Sequence, residues 1–163
     1  NGWSVTGNTF RGNAIEKDDK DALAVGQSSG GAIVTYNYFL LNRAQGVDTY
    51  RGTGGNVISN NTFEQNGQGV SETNALRLYG TDNTVSYNLL QNTRGSAIVV
   101  VSPDNGSMTE ASTGNLISIN SFSLNGGNAI DIVAYTASGS WKPENGMGDG
   151  VTPNDGATTQ RKP

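Results

Sequence analysis

Val5-Thr6-Gly7-Asn8-Thr9-Phe10-Arg11-Gly12-Asn13 is the first of five copies of one short phrase. An aliphatic residue leads, Asn-x-(Phe/Leu) follows, and a second Asn closes. The later copies are Val34–Asn37-Tyr38-Phe39–Asn42, Ile58–Asn61-Thr62-Phe63–Asn66, Val85–Asn88-Leu89-Leu90–Asn92 and Ile117–Asn120-Ser121-Phe122–Asn125. Their leading asparagines stand 29, 24, 27 and 32 positions apart. A period of this size marks a repeat protein, whose units bury an apolar face only by stacking on one another.

Working outward from the phrase, alternating apolar residues predict short strands at Trp3–Thr6, Ala32–Tyr36, Asn56–Ser59, Thr84–Tyr87 and Leu116–Ile119. A second set follows each Asn/Gly corner: Ala14-Ile15, Gly46-Val47, Gly69-Val70, Ala97-Ile98 and Ala129-Ile130. No segment sustains an apolar helical period with caps. Short strands, Asn/Gly corners and a period in the twenties predict an all-β solenoid, a parallel β-helix of about five coils. Phe10, Phe39, Phe63, Leu90 and Phe122 are then expected to stack in the core. Asn8, Asn37, Asn61, Asn88 and Asn120 are expected to form a second ladder, since Asn tolerates left-handed corners and its amide bonds the identical group one coil away. Insertions are placed at residues 16–31, 48–55, 71–82 and 102–114. Residues 1–134 read as coils, and 135–163, rich in Gly and Pro, as an irregular C-terminal tail.

Composition narrows the function. The chain has 163 residues, net charge −4 and 15% charged residues, with no basic cluster. Nucleic-acid binding needs Lys/Arg to neutralise phosphates, so it is excluded. No apolar run approaches the ~18–20 residues of a membrane span. The absence of Met at Asn1 is read as a processed product or an excised fragment. Cysteine and histidine are both absent, which removes thiolate sites, the usual general base and any Ser-His-Asp triad.

From these residues the chain resembles the right-handed parallel β-helix repeat family over roughly residues 3–134. That resemblance implies architecture, not activity. Gly127-Asn128-Ala129-Ile130-Asp131-Ile132, followed by Gly148-Asp149-Gly150-Val151-Thr152-Pro153-Asn154-Asp155-Gly156, is similar to the closing part of β-helix regions in large secreted or cell-surface bacterial proteins. The context it implies is extracellular and modular. Among enzymes on this fold, polygalacturonase-like glycosidases carry Asn-Thr-Asp, Asp-Asp and Gly-His-Gly blocks, of which only Asp18-Asp19 is present. The epimerase motif Asp-Pro-His-Glu is missing. Lyases that use Lys or Arg with Ca²⁺ stay open, with Arg51, Arg77 and Arg94 as candidate bases.

Aligning the second strands on Ile15, Val47, Val70, Ile98 and Ile130 makes the next, outward column Glu16, Asp48, Ser71, Val99, Asp131. Coils ~4.8 Å apart then make Glu16 and Asp48 neighbours, a cation site or a saccharide groove with Tyr50 and Arg51 alongside. Solvated surface acids are the plain alternative. Asp18, Asp19 and Asp21 form a candidate Ca²⁺ loop, and Asp149 and Asp155 a second. No cofactor is required; Ca²⁺ is the candidate structural ion. The function read here is a non-catalytic extracellular structural or adhesive module that touches glycans. The alternatives are a polysaccharide lyase fragment and a filament subunit that self-associates end to end through open strand edges.

Overall fold

Short strands, thirteen of three residues and two of six, alternate with sharp corners along the described residues. The structure, a computed structural model, describes residues 2–13, 21–26, 30–50, 54–69, 73–103 and 112–135. The first coil carries β1 (Ser4–Thr6), β2 (Thr9–Arg11) and β3 (Leu23–Val25). The second carries β4 (Ile33–Thr35), β5 (Tyr38–Leu40) and β6 (Val47–Thr49). The third has β7 (Val57–Ser59), β8 (Thr62–Glu64) and β9 (Leu76–Leu78). The fourth has β10 (Thr84–Ser86), β11 (Leu89–Gln91) and β12 (Ile98–Pro103), and the fifth β13 (Leu116–Ser118), β14 (Ser121–Ser123) and β15 (Ile130–Tyr135).

Equivalent strands of successive coils pair in parallel, giving three five-stranded sheets. The first sheet is β1-β4-β7-β10-β13, the second β2-β5-β8-β11-β14, and the third β3-β6-β9-β12-β15. This is a parallel β-helix. The tail read from residue 135 onward lies, from 136, outside the described residues.

Each strand turns its central or flanking aliphatic residues inward. Val34, Ile58 and Val85 from the first sheet meet Phe39, Phe63 and Leu90 from the second, all fully buried. Register aligns Phe10, Phe39, Phe63, Leu90 and Phe122 in one column. Phe10, Phe39 and Phe63 stack with ring centroids 4.8 Å apart and planes within 10°. The coil spacing imposes that near-parallel stack, since each ring sits directly over the last. Gly46 opens the third sheet because a Cβ there would come within 2.8 Å of the Phe63 ring.

All three corners use the same device: a left-handed residue, then a residue on a hydrogen-bonded ladder. At the first corner Gly7, Tyr36, Asn60, Tyr87 and Ile119 have positive φ. At the second the residues are Gly12, Leu41, Gln65, Asn92 and Leu124, and at the third Gly31, Gly55, Asp82 and Gly114. Non-glycine residues cost roughly 1–2 kcal/mol in this conformation. The ladder asparagine is therefore not the left-handed residue, as the sequence reading has it. It follows that residue and locks the turn.

The first ladder shows how. Asn8, Asn37, Asn61 and Asn88 each donate a backbone N–H to the Oδ1 of the next coil's asparagine at 2.9 Å, ending on Asn120. The Nδ2 groups of Asn37, Asn61, Asn88 and Asn120 reach back to the carbonyls of Val5, Val34, Ile58 and Val85 at 2.9 Å. Buried amides are thus satisfied on both sides, which removes the desolvation penalty they would otherwise carry. Asn13, Asn42 and Asn66 begin a second ladder. Its fourth rung is Thr93, not Asn92, because Thr93 is the residue three after Leu90 and bonds to Asn125. Asn56, Asn83 and Asn115 form a third ladder, starting from the N–H of Ala32.

The third sheet corrects the sequence reading most. The residues in register with Val47 are Leu23 and Leu76, not Ile15 and Val70. Strands β3 and β9 lie inside stretches read as insertions, 16–31 and 71–82. The working signature is a small residue before an aliphatic one: Ala22-Leu23, Gly46-Val47, Ala75-Leu76, Ala97-Ile98 and Ala129-Ile130. At Gly46 the reason is direct, since an added Cβ would meet the Phe63 and Phe39 side chains.

Candidate functional site

Two strands of the third sheet bring Asp48 and Arg77 together. Asp48 is central in β6, Arg77 central in β9, and the two are register partners. Both side chains stand on the face opposite the core-facing Val47 and Leu76. Arg77 Nε donates to Asp48 Oδ1 at 2.8 Å, and Nη2 donates to Oδ2 in a very short contact. The pair is bidentate, the geometry a planar guanidinium supplies and an ammonium does not. On its other side Asp48 has Ala24 for a register partner, in place of the Glu16 that the expected alignment put there; Glu16 itself lies outside the described residues. The outward column reads Ala24, Asp48, Arg77, Val99, Asp131.

This face is buried, not solvated. Asp48 is 0% exposed, Arg77 7% and Asp131 5%. Burial drives the Asp48 carboxyl above the ordinary 3.8, against the hydrogen bond and charge of Arg77 and a side-chain hydrogen bond with Asp21. The Arg77 guanidinium also lies 5.7 Å from the Tyr79 ring centroid. Asp131 accepts a hydrogen bond from Ser96 Oγ at 3.3 Å. Gln45 Nε2 donates to Asn74 Oδ1 at 3.2 Å, while Gln45 Oε1 and Asn74 Nδ2 are buried with no hydrogen-bond partner among the described residues. Tyr79, Val99, Val101 and Val133 pack as a small apolar cluster outside the main core.

Of the other predicted residues, Asp21 is half-buried beside Asp48, and Tyr50 follows β6 with its ring exposed. Glu16, Asp18, Asp19, Arg51, Asp149 and Asp155 lie outside the described residues. Trp3 packs half-buried against the core.

On the second sheet the Tyr38 hydroxyl donates to Glu64 in a short hydrogen bond. That bond raises the phenol's pKa, with burial and the Glu64 charge adding to it and Arg11 opposing. Sequence reading missed this pair because Tyr38 and Glu64 sit diagonally across adjacent strands, Tyr38 opposite Thr62 and Leu40 opposite Glu64. It also missed the third ladder, although Asn56, Asn83 and Asn115 each precede the apolar residues of a first-sheet strand.

Three parallel sheets closed by ladders at every corner define a parallel β-helix repeat protein. Within that class, the chain belongs to the family described as Periplasmic copper-binding protein (NosD), whose model matches residues 3–148. No curated protein and no solved structure matches the chain. The family's description places its members in the periplasm, in line with a protein outside the cytoplasm.

Copper, which that description names, fits this chain poorly. Imidazole, thiolate and thioether are the ligands that hold copper in proteins, and the sequence has no His and no Cys. Its two methionines, Met108 and Met147, lie outside the described residues. Among the described residues no group of three or more His, Cys, Asp or Glu could hold a metal ion. The best-placed carboxylate, Asp48, is already bound by Arg77. The described donor set does not make a copper site.

Proposed function

We propose that the chain works outside the cytoplasm as a stiff, non-catalytic β-helix module that presents its sides to extracellular polymers, glycans among them. The carrying observation is the engagement of Arg77. A lyase base must reach a substrate proton with its own charge tuned for the transfer. Arg77 is instead buried and held at Nε and Nη2 by Asp48. Arg94 Nη1 donates to the carbonyl of Gly69 at 2.6 Å. Tyr38, the remaining phenol with an acid beside it, has its pKa raised, which is the wrong direction for a base. Among the described residues, Arg77, Arg94 and Tyr38 are engaged in the fold, and the ladders give the stack its stiffness.

The test is incubation with pectate, alginate and chondroitin, each with and without Ca²⁺. No unsaturated-uronate absorbance is expected. Its appearance, and loss in Arg51→Ala, would replace this reading with the lyase.

A further inference from the structure

The first corner holds an arrangement that the fold does not need. Gly7, Tyr36, Asn60, Tyr87 and Ile119 occupy its left-handed position in successive coils. Gly7 shows that glycine meets the backbone demand without strain. Coils two and four place tyrosine there, at φ 56° and 57°. Leu41, Gln65 and Leu124 take the same conformation at the second corner, so what sets these two positions apart is the exposed aromatic ring each carries. Neither ring is stabilised by the core: Tyr36 is 67% exposed and Tyr87 57%. Two water-facing aromatic rings point outward from the fold to a ligand.

Register sets the rings in a line. Thr35, Ser59 and Ser86 are partners across β4, β7 and β10. The following N–H groups, of Tyr36 and Asn60, donate to the carbonyls of Ser59 and Ser86 at 3.4 and 3.2 Å. Coils spaced ~4.8 Å apart put Tyr36 and Tyr87, two coils apart, about 10 Å from one another. The Asn60 side chain stands between them, exposed, its Nδ2 donating to Ser59 Oγ at 3.2 Å; beside the line Thr35 and Ser59 are half-buried with their hydroxyls 3.4 Å apart, and Ser86 is buried.

We propose that this ridge binds an extended, neutral polysaccharide lying along the helix axis. The C–H faces of pyranose rings stack on the two phenols, whose amphipathic rings suit a wet, partly apolar contact. The exposed Asn60 amide between them, with the half-buried Thr35 and Ser59 hydroxyls beside it, takes up sugar hydroxyls. The strip itself carries no charge, which matches a neutral polymer and not an acidic one. The inference rests on the exported, non-catalytic reading and names its ligand class and surface.

Native affinity electrophoresis in gels containing a neutral β-glucan, a mannan or dextran tests it, with polygalacturonate as the acidic comparison. The wild-type chain should be retarded by at least one neutral polymer. The double variant Tyr36→Asn, Tyr87→Asn should need at least tenfold more polymer for the same retardation. Asparagine tolerates the left-handed corner, so its unfolding temperature should match or exceed the wild type's. Ile119→Asn, in the same column beyond the rings, should bind as the wild type does. Absence of retardation by every neutral polymer overturns the proposal. So does equal retardation of wild type and double variant, or stronger retardation by polygalacturonate. The uronate assay reads the non-catalytic function separately, so either idea can fail alone.

Discussion

Thr93 donates its backbone N–H to Asn125 Oδ1 across 3.0 Å, while its own hydroxyl is buried with no partner among the described residues. It is the one threonine in a ladder otherwise built of Asn13, Asn42, Asn66 and Asn125. The neighbouring rungs show what asparagine does there. Asn42 Oδ1 accepts the N–H of Asn13, and its Nδ2 reaches the carbonyl of Phe10.

Thr93→Asn should therefore complete the ladder. An added pair of buried hydrogen bonds, together with removal of the orphaned hydroxyl, predicts a gain of about 1–2 kcal/mol. Urea unfolding of wild type and variant measures it. A loss of stability would mean that the corner around Thr93 has closed in a way that shuts out the amide.

Ile119 offers a different gain. It is β-branched, sits at φ 55° and is 68% exposed, so it combines strain with little burial. Ile119→Asn should raise stability by about 1 kcal/mol by relieving that conformation. The same assay reads it. A fall of similar size would show that the exposed Ile119 side chain packs more favourably than its exposure indicates.

The Asp48–Arg77 pair should respond strongly to loss of one member. Arg77→Met leaves a buried carboxylate unpaired and should cost about 3–5 kcal/mol near neutral pH. Adding Asp48→Leu should recover most of it, since a well-packed apolar pair replaces ions at little cost. The pH dependence has a definite sign. Asp48's folded pKa lies above the ordinary 3.8. The folded state thus holds that proton more tightly than the unfolded chain. The stability from this group is full below about pH 4 and declines as pH rises through the folded value. The difference in unfolding free energy between wild type and Asp48→Asn should fall as pH rises above about 4. A rising difference would mean that Arg77 outweighs burial.

Copper should not bind stoichiometrically. Equilibrium dialysis against Cu(II), and against Cu(I) under reducing conditions, should leave well under one equivalent on the chain. Retention of a full equivalent, lost on replacing Met108 and Met147, would place a thioether site in the segments that hold them.

Much of the fold was legible in the sequence because parallel stacking repeats each environment. The Asn-x-Phe phrase marks the first two sheets and the corner between them in all five coils. Phe10, Phe39, Phe63, Leu90 and Phe122 are in the register it implies. In the third sheet the strands at Val47, Ile98 and Ile130 were legible, but those at Leu23 and Leu76 follow stretches of unequal length, so spacing gave no guide to them. Its site escaped for the same reason. Misaligning β9 replaced Arg77 with Ser71 in the column and misaligning β3 replaced Ala24 with Glu16, so an ion pair was read as a pair of acids forming a cation site or saccharide groove. Burial of that face carries no sequence signal in Asp48 itself, and a left-handed Tyr36 looks in sequence like any turn residue.

The ladders also decide how the stack yields under load. Its coil-to-coil hydrogen bonds lie along the helix axis, and every coil is held to the next by three narrow sheets. Tension between the first and fifth coils pulls those bonds lengthwise, so an end coil peels while inner coils stay intact. Successive asparagine rungs are 29, 24, 27 and 32 residues apart. Each peeled coil therefore releases roughly 80–110 Å of slack at ~3.4 Å per residue. Under tension the stack should lengthen in discrete steps, one coil at a time.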